Sequence, residues 1–397
     1  MSKIKLLQMF PSTLRGGAEE YALTIGTAAA RKGWDVHVAF PRRDRTAALR
    51  HDFSDIGACY HSLEIPAEAS GRAQFLIQVV RTLALLLMIK PDAVHLSLPF
   101  PDQCMGSMVA CALLKIPTVV AFQLVKEELS IGKRQDKLCH WARGRNQKWI
   151  AISENNRELL TKLFRVIKND IDLIYNGPFF KRDDNIINKK TSILLEVRKE
   201  IGLSDGDIIV LTVGRLHRQK GYSYIIPAIP HILKNHPNAR FVWVGEGEQR
   251  NELKLLLKEY AIDDRVIFLG YRNDIPRLLM ASNLFLFPTL FEGGSSIALT
   301  EAMEFGLPIV ASRASGIPEV IEDNKHGVLF TKADSCSLLA ALNWALDHPE
   351  KMDEMAIKAS MRVKDFSSEK MTNKTLVLIC TLVGIECQDY EVDNVLI

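Results

Sequence analysis

Short runs of apolar and β-branched residues alternate along this chain with longer segments of helical periodicity, and this alternation restricts the fold more than any other feature. Buried strands that alternate with helices are typical of parallel sheets covered on both faces. In the first half the predicted strands are Ile4–Gln8, Asp35–Ala39, Ala93–Leu96, Thr118–Ala121, Lys148–Ile152 and Asp172–Ile174. Helices are predicted between them, at Ala18–Arg31, Ala73–Lys90 and Glu154–Phe164. The first half therefore predicts a doubly wound α/β domain.

The second half repeats this rhythm and predicts a second domain of the same kind. Its predicted strands are Ile208–Val213, Arg240–Val244, Val266–Leu269, Leu284–Phe287, Pro308–Ala311 and Gly327–Leu329. A chain of 397 residues also exceeds the size at which one hydrophobic core usually keeps growing. The polar segment Asn176–Lys190 is typical of a linker. We expect two Rossmann-like domains, residues 1–180 and 181–366, and a tail, residues 367–397, that packs back on the amino-terminal domain.

Composition argues against several classes of protein. The 50 basic and 47 acidic side chains give a net charge of +3, which is too balanced to make nucleic acid the main partner. The seven cysteines are scattered and form no C-x-x-C pair, so neither a disulfide framework nor a structural zinc site is expected. The first ten residues are unlike a signal peptide, and the longest apolar run, Leu83–Ile89, is too short to span a bilayer. We expect a cytoplasmic protein without a transmembrane helix.

The segment Thr212–Gly221 (TVGRLHRQKG) places two cations just after a predicted strand. Gly214 ends that strand, and Arg215 and Lys220 follow it at the carboxyl edge of the sheet, where open α/β sheets bind ligands. Two fixed cations stabilise the charge that develops on a leaving diphosphate without help from a metal ion. The alternative interpretation is a solvated basic turn.

The segment Phe291–Ser312 adds a glycine and serine turn that opens a helix. Gly294, Ser295 and Ser296 allow backbone N–H groups at the helix start to approach an anion closely. Glu301, on the helix, suits the two hydroxyls of a ribose, and Glu292, in the preceding loop, suits a hexose. The alternative is that the serines are ordinary N-caps and Glu301 is an exposed helix carboxylate.

The ordered series VGRLHRQKG, FVWVGEGEQ, VIFLGYRND, FPTLFEGG, EAMEFGLPIVAS and GIPEVIEDNKHGVLF resembles the donor domain of glycosyltransferase family 4, the retaining enzymes of GT-B fold. In the first half GGAE, AISENNRELL and IYNG resemble that family's glycine loop and interdomain entry, so the resemblance covers most of the chain. It implies two Rossmann-like domains that face a central cleft, with the nucleotide-sugar donor on the second and the acceptor on the first.

The resemblance also implies a role for each matching residue. Arg215 and Lys220 match the diphosphate-binding pair, Gly294, Ser295 and Ser296 the turn that meets the distal phosphate, and Gly214 the strand end beside it. Glu301 matches the ribose-binding carboxylate and Glu292 the carboxylate that faces the donor sugar. Gly16 and Gly17 would close over the reaction centre, and base selection is expected around Gly270–Asp274, where Arg272 is the candidate side chain. No metal and no other cofactor is expected.

Two positions depart from the family pattern. Eight residues separate Glu292 from Glu301, whereas the family has seven, so the extra residue lies between Gly293 and Thr300. After strand Thr118–Ala121 many relatives have a histidine, but this chain has Gln123, which is unable to carry a proton near neutral pH. His95 is the nearest histidine candidate on the acceptor side, with a structural role as the alternative.

The acceptor is expected to be a glycan or a lipid-linked sugar. Between Ile131 and Trp149 six basic residues accompany one acid, with Trp141 interleaved, which suits peripheral contact with an anionic membrane surface. The alternative is a solvated helix face beside two core tryptophans.

The resemblance therefore implies a retaining, metal-independent transferase, and we expect it to use a UDP-linked hexose or N-acetylhexosamine, or else GDP-mannose. A GT-B epimerase, a glycan phosphorylase and a catalytically silent GT-B partner protein are the alternatives. A dinucleotide-dependent dehydrogenase would need a G-x-G-x-x-G motif, which the Gly16 and Gly17 pair does not supply.

Overall fold

The computed structural model describes residues 3–13, 15–64, 71–103, 105–180 and 190–386. These residues form two compact units, with boundaries after Asn176 and after Ser367. The first unit takes the chain up to Asn176 together with the segment that starts at Ser368, and the second unit takes Gly177–Ser367. The segment from Ser368 onward therefore belongs to the same unit as the amino terminus.

The first unit is built on a seven-stranded sheet whose strands are all parallel. Its strands are β1 (Lys5–Met9), β2 (Asp35–Phe40), β3 (Cys59–Ser62), β4 (Ala93–Leu98), β5 (Thr118–Phe122), β6 (Gln147–Ala151) and β7 (Ile171–Leu173). Its first six helices are α1 (Gly17–Arg31), α2 (Ala47–Asp55), α3 (Gly71–Ile89), α4 (Met105–Leu113), α5 (Lys133–Arg143) and α6 (Glu154–Phe164). The strand order is β3-β2-β1-β4-β5-β6-β7.

The second unit repeats the design with six parallel strands in the order β10-β9-β8-β11-β12-β13. They are β8 (Ile208–Val213), β9 (Ala239–Val244), β10 (Val266–Gly270), β11 (Leu284–Phe287), β12 (Ile309–Ser312) and β13 (Val328–Phe330). The helices are α7 (Lys190–Glu200), α8 (Tyr222–Ile225), α9 (Ile229–Asn235), α10 (Arg250–Glu259), α11 (Ile275–Ala281), α12 (Ile297–Glu304), α13 (Ile317–Val320), α14 (Ser335–Asp347) and α15 (Pro349–Arg362). The prediction of two doubly wound parallel sheets is confirmed.

All twelve predicted strands exist, with ends within two residues of those observed. Apolar runs identify them because a strand covered by helices on both faces is buried along its whole length. The one missed strand is β3, whose sequence CYHS is polar and half exposed because it lies at the sheet edge. A strand with one sheet neighbour and little burial carries no apolar signal.

The carboxy-terminal helix α16 (Ser368–Val383) packs against α1, β4 and β5 of the first unit. Its buried residues include Met371, Thr375 and Ile379, which recur every four residues and form one stripe. Cys380, on the same side, is disulfide-bonded. The scattered spacing of the cysteines predicted no disulfide framework, and it did not reveal this bond.

One helix in the described part of the chain is long and apolar enough to cross a membrane by length and composition alone. This is α3, with a mean hydropathy of 1.6 over an 18-residue window of which 28% is buried. The apolar run Leu83–Ile89 covers only the last seven residues of this helix, because Arg81 interrupts the apolar sequence. A single such helix is weak evidence for a membrane span.

Candidate functional site

The two motif segments meet at the carboxyl edge of the second sheet. The chain passes from β8 to β9 and β10 on one side and then returns to place β11 on the other side of β8. Thr212–Gly221 follows β8 and Phe291–Ser312 follows β11, so the two segments leave neighbouring strands. The crevice where strand order reverses is the usual ligand site of such sheets.

Tight packing of the backbone fixes the path of the first segment. Gly221 has φ +70°, and a Cβ atom there would lie 2.1 Å from the carbonyl oxygen of Pro288. Glycine is required, because other residues rarely adopt this conformation and a side chain has no space. The turn that follows β8 thus packs against the residues that follow β11, and Lys220 lies between the ends of these two strands.

Lys220 and Glu292 form an ion pair between the two segments. Their side chains are only 14% and 11% exposed. The hydroxyl of Thr289 donates to Glu292 Oε1 at 2.9 Å, and the Lys220 Nζ atom lies 5.2 Å from the centre of the Phe287 ring. The Lys220 side chain also lies against Gly214 at the end of the strand, where a Cβ atom would be 3.4 Å from it. The pair is nearly buried and held from several sides.

A hydrogen-bond network that the sequence did not reveal supports this pair. Gln219 Nε2 donates to the Phe291 carbonyl at 2.9 Å, and the Leu290 N–H donates to the Gln219 carbonyl at 2.7 Å. The Glu292 N–H donates to Ser315 Oγ at 3.1 Å. These contacts join residues far apart in the chain, so no local pattern could have identified them. They fix the loop that carries Glu292.

The second segment places its glutamate inside the helix packing. Ser295 is buried, Ser296 precedes α12, and Glu301 lies in the second turn and is only 4% exposed. Within the described structure, the Ser296 side chain forms no capping hydrogen bond. The alternative interpretation therefore fails at two positions, since Glu301 is not an exposed carboxylate and Ser296 is not a side-chain cap. The extra residue before Glu301 falls in the turn or in the first helical turn, between Gly293 and Thr300.

The other two predicted cationic side chains have different environments. Arg215 is exposed immediately after Gly214. Arg272 donates twice to Asp274, each time at 2.7 Å, and also to Glu200 at 2.5 Å. Hydrogen bonds from Arg272 are the main reason that the pKa of Asp274 lies below its usual range. Arg215 is thus open to a ligand, whereas two carboxylates hold Arg272.

In the first unit the glycine pair lies at the corresponding reversal of strand order, between β1 and β4. Gly16 is the N-cap of α1, and Gly17 is its first residue. A Cβ atom at Gly16 would lie 3.3 Å from the buried Glu19 carboxylate. Glycine therefore keeps the backbone open at this helix start.

The two acceptor-side candidates are both buried. His95 is fully enclosed, its Nδ1 atom lies 3.3 Å from Gln8 Nε2, and its Nε2 atom has no hydrogen-bond partner among the described residues. Burial lowers the pKa of His95 to about 3. Gln123 Oε1 accepts from Asn176 Nδ2 at 3.0 Å. The position of His95 fits the structural alternative, because a neutral buried imidazole does not face solvent.

The basic segment divides into buried and exposed parts. Trp149 is fully buried, with its ring centre 5.3 Å from that of Phe122, so it belongs to the core. Arg145 stacks on Trp141 at 4.6 Å, and Arg143 donates to Asp170 at 2.8 Å. On α5, three further cations are exposed and form no ion pair within the described ranges; they are Lys133, Arg134 and Lys137. The core alternative is thus correct for Trp149.

Two family models match the two halves of the chain. Residues 15–178 match Glycosyltransferase Family 4, and residues 195–362 match Glycosyl transferases group 1. The chain is 34% identical over 196 residues to the UDP-Gal:alpha-D-GlcNAc-diphosphoundecaprenol alpha-1,3-galactosyltransferase of Escherichia coli, which is 49% of each chain. The chain thus spans about half the length of the curated relatives it matches.

Solved structures with the same fold cover nearly the whole chain. A glycosyltransferase from Rickettsia africae has a TM-score of 0.80 and 15% identity over 96% of this chain and 99% of its own. The Anabaena protein HepE in complex with UDP-glucose has a TM-score of 0.78 and 19% identity over 95% of this chain and 100% of its own. At this level of identity the similarity shows a GT-B fold.

Proposed function

Because the chain belongs to glycosyltransferase family 4, with a family 4 domain followed by a group 1 domain, we propose that it is a retaining transferase that needs no metal ion. It moves a hexose or N-acetylhexosamine from a nucleotide-diphosphate sugar to a glycan or lipid-linked acceptor. The similarity to an enzyme named for UDP-Gal and to a structure that contains UDP-glucose supports a UDP-sugar before GDP-mannose. The observation that carries the proposal is the Lys220–Glu292 pair at the reversal of strand order.

The ion pair brings together a cation suited to the diphosphate of a nucleotide-sugar and a carboxylate suited to its sugar. A diphosphate brings negative charge that competes with Glu292 for the Lys220 ammonium group, and the exposed Arg215 guanidinium is available beside it. As the glycosidic bond breaks, the leaving diphosphate gains charge, and two fixed cations stabilise it. Released from Lys220, the Glu292 carboxylate accepts hydrogen bonds from the hydroxyls of the donor sugar.

The amino-terminal end of α12 and the Glu301 side chain are suited to bind the distal phosphate and the ribose of the donor. Backbone N–H groups at a helix start favour an anion, and Gly294, with φ +156°, keeps that approach free of a side chain. Glu301 lies one turn into the helix, where a carboxylate suits the paired hydroxyls of a ribose. We assign the distal phosphate to Gly294, Ser295 and Ser296, and the ribose to Glu301.

The acceptor proton is assigned to the donor itself. Gln123 has no titratable proton, and His95 is fully buried with a strongly lowered pKa, so neither is a suitable base. In the proposed step, the bond from the anomeric carbon to the diphosphate breaks, and a bond to the acceptor oxygen forms on the same face. The acceptor proton moves to the departing phosphate oxygen, which balances charge without a protein nucleophile.

A panel of UDP- and GDP-sugars, with release of UDP or GDP as the signal, tests this proposal in the presence and absence of EDTA. Lys220→Ala and Glu301→Gln should lose at least 100-fold in transfer, the range known for removal of one preorganised charge-stabilising group. Matched controls are Arg218→Ala in the same turn and Glu304→Gln in the same helix, which should keep activity. Circular dichroism checks folding, and Lys220→Arg keeps the charge if the alanine variant does not fold.

Three results would contradict the proposal. Full activity in both the Lys220 and Glu301 variants would show that the site lies elsewhere. Absence of nucleotide release from every donor would favour a catalytically silent partner protein. Conversion of the donor sugar without transfer to an acceptor would favour an epimerase.

We also propose that the protein is cytoplasmic and contacts an anionic membrane surface through α3 and α5. Four apolar residues of α3 are 60% to 65% exposed; they are Leu76, Val80, Leu87 and Met88. The α3 helix packs on α4 and α4 packs on α5, so this apolar face and the α5 cations belong to one helical layer. Exposed apolar helix residues beside cations are typical of helices that lie in a bilayer interface.

Co-sedimentation with vesicles of anionic or neutral lipid tests this contact. The double change Leu76→Ser and Leu87→Ser, and separately Lys133→Glu with Lys137→Glu, should each reduce binding to anionic vesicles. Leu255→Ser is the matched control, because Leu255 is 63% exposed on the second unit. Equal binding by all variants, or equal binding to neutral vesicles, would contradict the proposal.

A further inference from the structure

Four metal-ligating side chains lie on one face of the first sheet at its outer edge. Strand β3 is the edge strand, and it pairs with β2 so that His37 is opposite Cys59 and Ala39 is opposite His61. Since side chains of a strand alternate between faces, residues two apart on each strand share a face. Asp35 and His37 on β2 therefore share a face with Cys59 and His61 on β3.

The side chains converge on one point. His37 Nδ1 lies 2.8 Å from His61 Nε2, and the two rings stack with centres 5.1 Å apart. One ligand atom from each of His37, Cys59 and His61 lies within 4.8 Å of the other two. Both histidines are half-buried and Cys59 is exposed, so an ion can reach the group from solvent.

A carboxylate, that of Asp35, lies close to the first histidine. Its Oδ2 atom lies 3.5 Å from His37 Nε2, the ring nitrogen that faces away from His61. A metal-binding histidine usually donates its second ring N–H to a carboxylate, which fixes its tautomer. With the proton on Nε2, the lone pair of His37 Nδ1 points to the same place as that of His61.

We propose that His37, Cys59 and His61 bind a Zn²⁺ ion, with Asp35 as the orienting carboxylate and a fourth position left to water. Two imidazoles and one thiolate suit zinc, and tetrahedral bonds of about 2.0 Å place two nitrogen ligands roughly 3.3 Å apart. The observed 2.8 Å separation needs to widen by only about half an ångström. On binding, the Cys59 thiol releases its proton to solvent and a Zn–S bond forms.

This site is separate from the residues assigned to the nucleotide-sugar donor on the second unit, because it lies on the first unit and shares no residue with them. A bound ion would cross-link the edge strand β3 to β2, and these strands are separated in the chain by a connection of nearly twenty residues. The absence of C-x-x-C pairs predicted no structural zinc site. Here the ligands come from two neighbouring strands, so their proximity depends on strand pairing.

Zinc titration of the purified, metal-stripped chain, with a chromogenic chelator as competitor, tests the site. We expect one Zn²⁺ per chain, and Co²⁺ substitution should give thiolate charge-transfer absorption. His37→Ala, Cys59→Ala and His61→Ala should each abolish the stoichiometric binding. Asp35→Asn should weaken binding about 10-fold to 100-fold, the usual effect of losing an orienting partner. The control His231→Ala removes an exposed histidine of the second unit, outside both groups of potential metal ligands, and should change nothing.

Alkylation gives a second readout with a control inside the same chain. Cys59 and Cys336 are both free and exposed, but they lie on different units. Zn²⁺ should slow the labelling of Cys59 at least 10-fold and leave that of Cys336 unchanged. If no stoichiometric zinc binds, if the variants bind it equally, or if both cysteines are protected alike, the proposal is overturned and the histidines form only a hydrogen-bonded pair.

Discussion

Replacement of Glu292 by glutamine is expected to separate donor binding from transfer. Glutamine keeps the size of the side chain and the Oε1 acceptor that meets Lys220 and Thr289. It removes only the negative charge that holds Lys220 in the unliganded protein. A nucleoside diphosphate would then find Lys220 with a weaker competitor, so the variant should bind UDP more tightly although it transfers sugar more slowly.

The size of each effect follows from the nearly buried position of the pair. A hydrogen bond to a charged group contributes about 1.5–3 kcal/mol net, and the neutral amide retains roughly half of this. The released interaction of about 0.75–1.5 kcal/mol corresponds to roughly 4-fold to 13-fold tighter UDP binding. Transfer should fall about 100-fold, because the carboxylate no longer meets the hydroxyls of the donor sugar.

Isothermal titration calorimetry with UDP and GDP measures the first effect, and steady-state nucleotide release measures the second. Glu248→Gln is the matched control, because Glu248 is 72% exposed on the same unit and its loss changes the net charge equally. If both variants bind UDP more tightly, the effect is one of overall charge. Weaker UDP binding by Glu292→Gln, or transfer within twofold of the unmodified protein, would refute the competition between Glu292 and the diphosphate.

Gly221→Ala should lower the free energy of unfolding by several kcal/mol, since its Cβ atom would overlap the Pro288 carbonyl. The control is Gly202→Ala, because Gly202 has a similar φ of +73° but open space around it, and its free energy of unfolding should fall by only about 1–2 kcal/mol. Urea denaturation measures both values. Folding holds His95 neutral, whereas the unfolded chain takes up a proton on this histidine below about pH 6.5. The free energy of unfolding should therefore fall as the pH drops from about 6.5 towards 3, and the loss should be about 2 kcal/mol at pH 5. Urea denaturation of His95→Asn at pH 7 and pH 5 should show a smaller loss, and equal losses would contradict this origin. Native alkylation should leave Cys111 unmodified, since burial raises its pKa to about 12; rapid labelling detected by mass spectrometry would count against this.

The elements of both sheets could be predicted because their signal is local. A strand such as Leu284–Phe287 is apolar throughout, and a helix such as Glu154–Phe164 has a polar cap at Ser153 that accepts from the Asn156 N–H at 3.0 Å. Helix α4 is buried on nearly all sides, so its sequence MGSMVACAL has no polar face that a local pattern could mark. An enclosed helix therefore carries a weaker periodic signal than a helix with one solvent face.

The sequence alone determined the alternation of strands and helices, the likeness to the glycosyltransferases, and the candidate residues. The tertiary structure decided which of those residues meet. Lys220 and Glu292 are 72 residues apart, and they pair because β11 lies beside β8 rather than beside β10. His37 and Cys59 meet for the same kind of reason. The physical reason is that periodicity depends on near neighbours in the chain, whereas strand order depends on the burial of whole elements against one another.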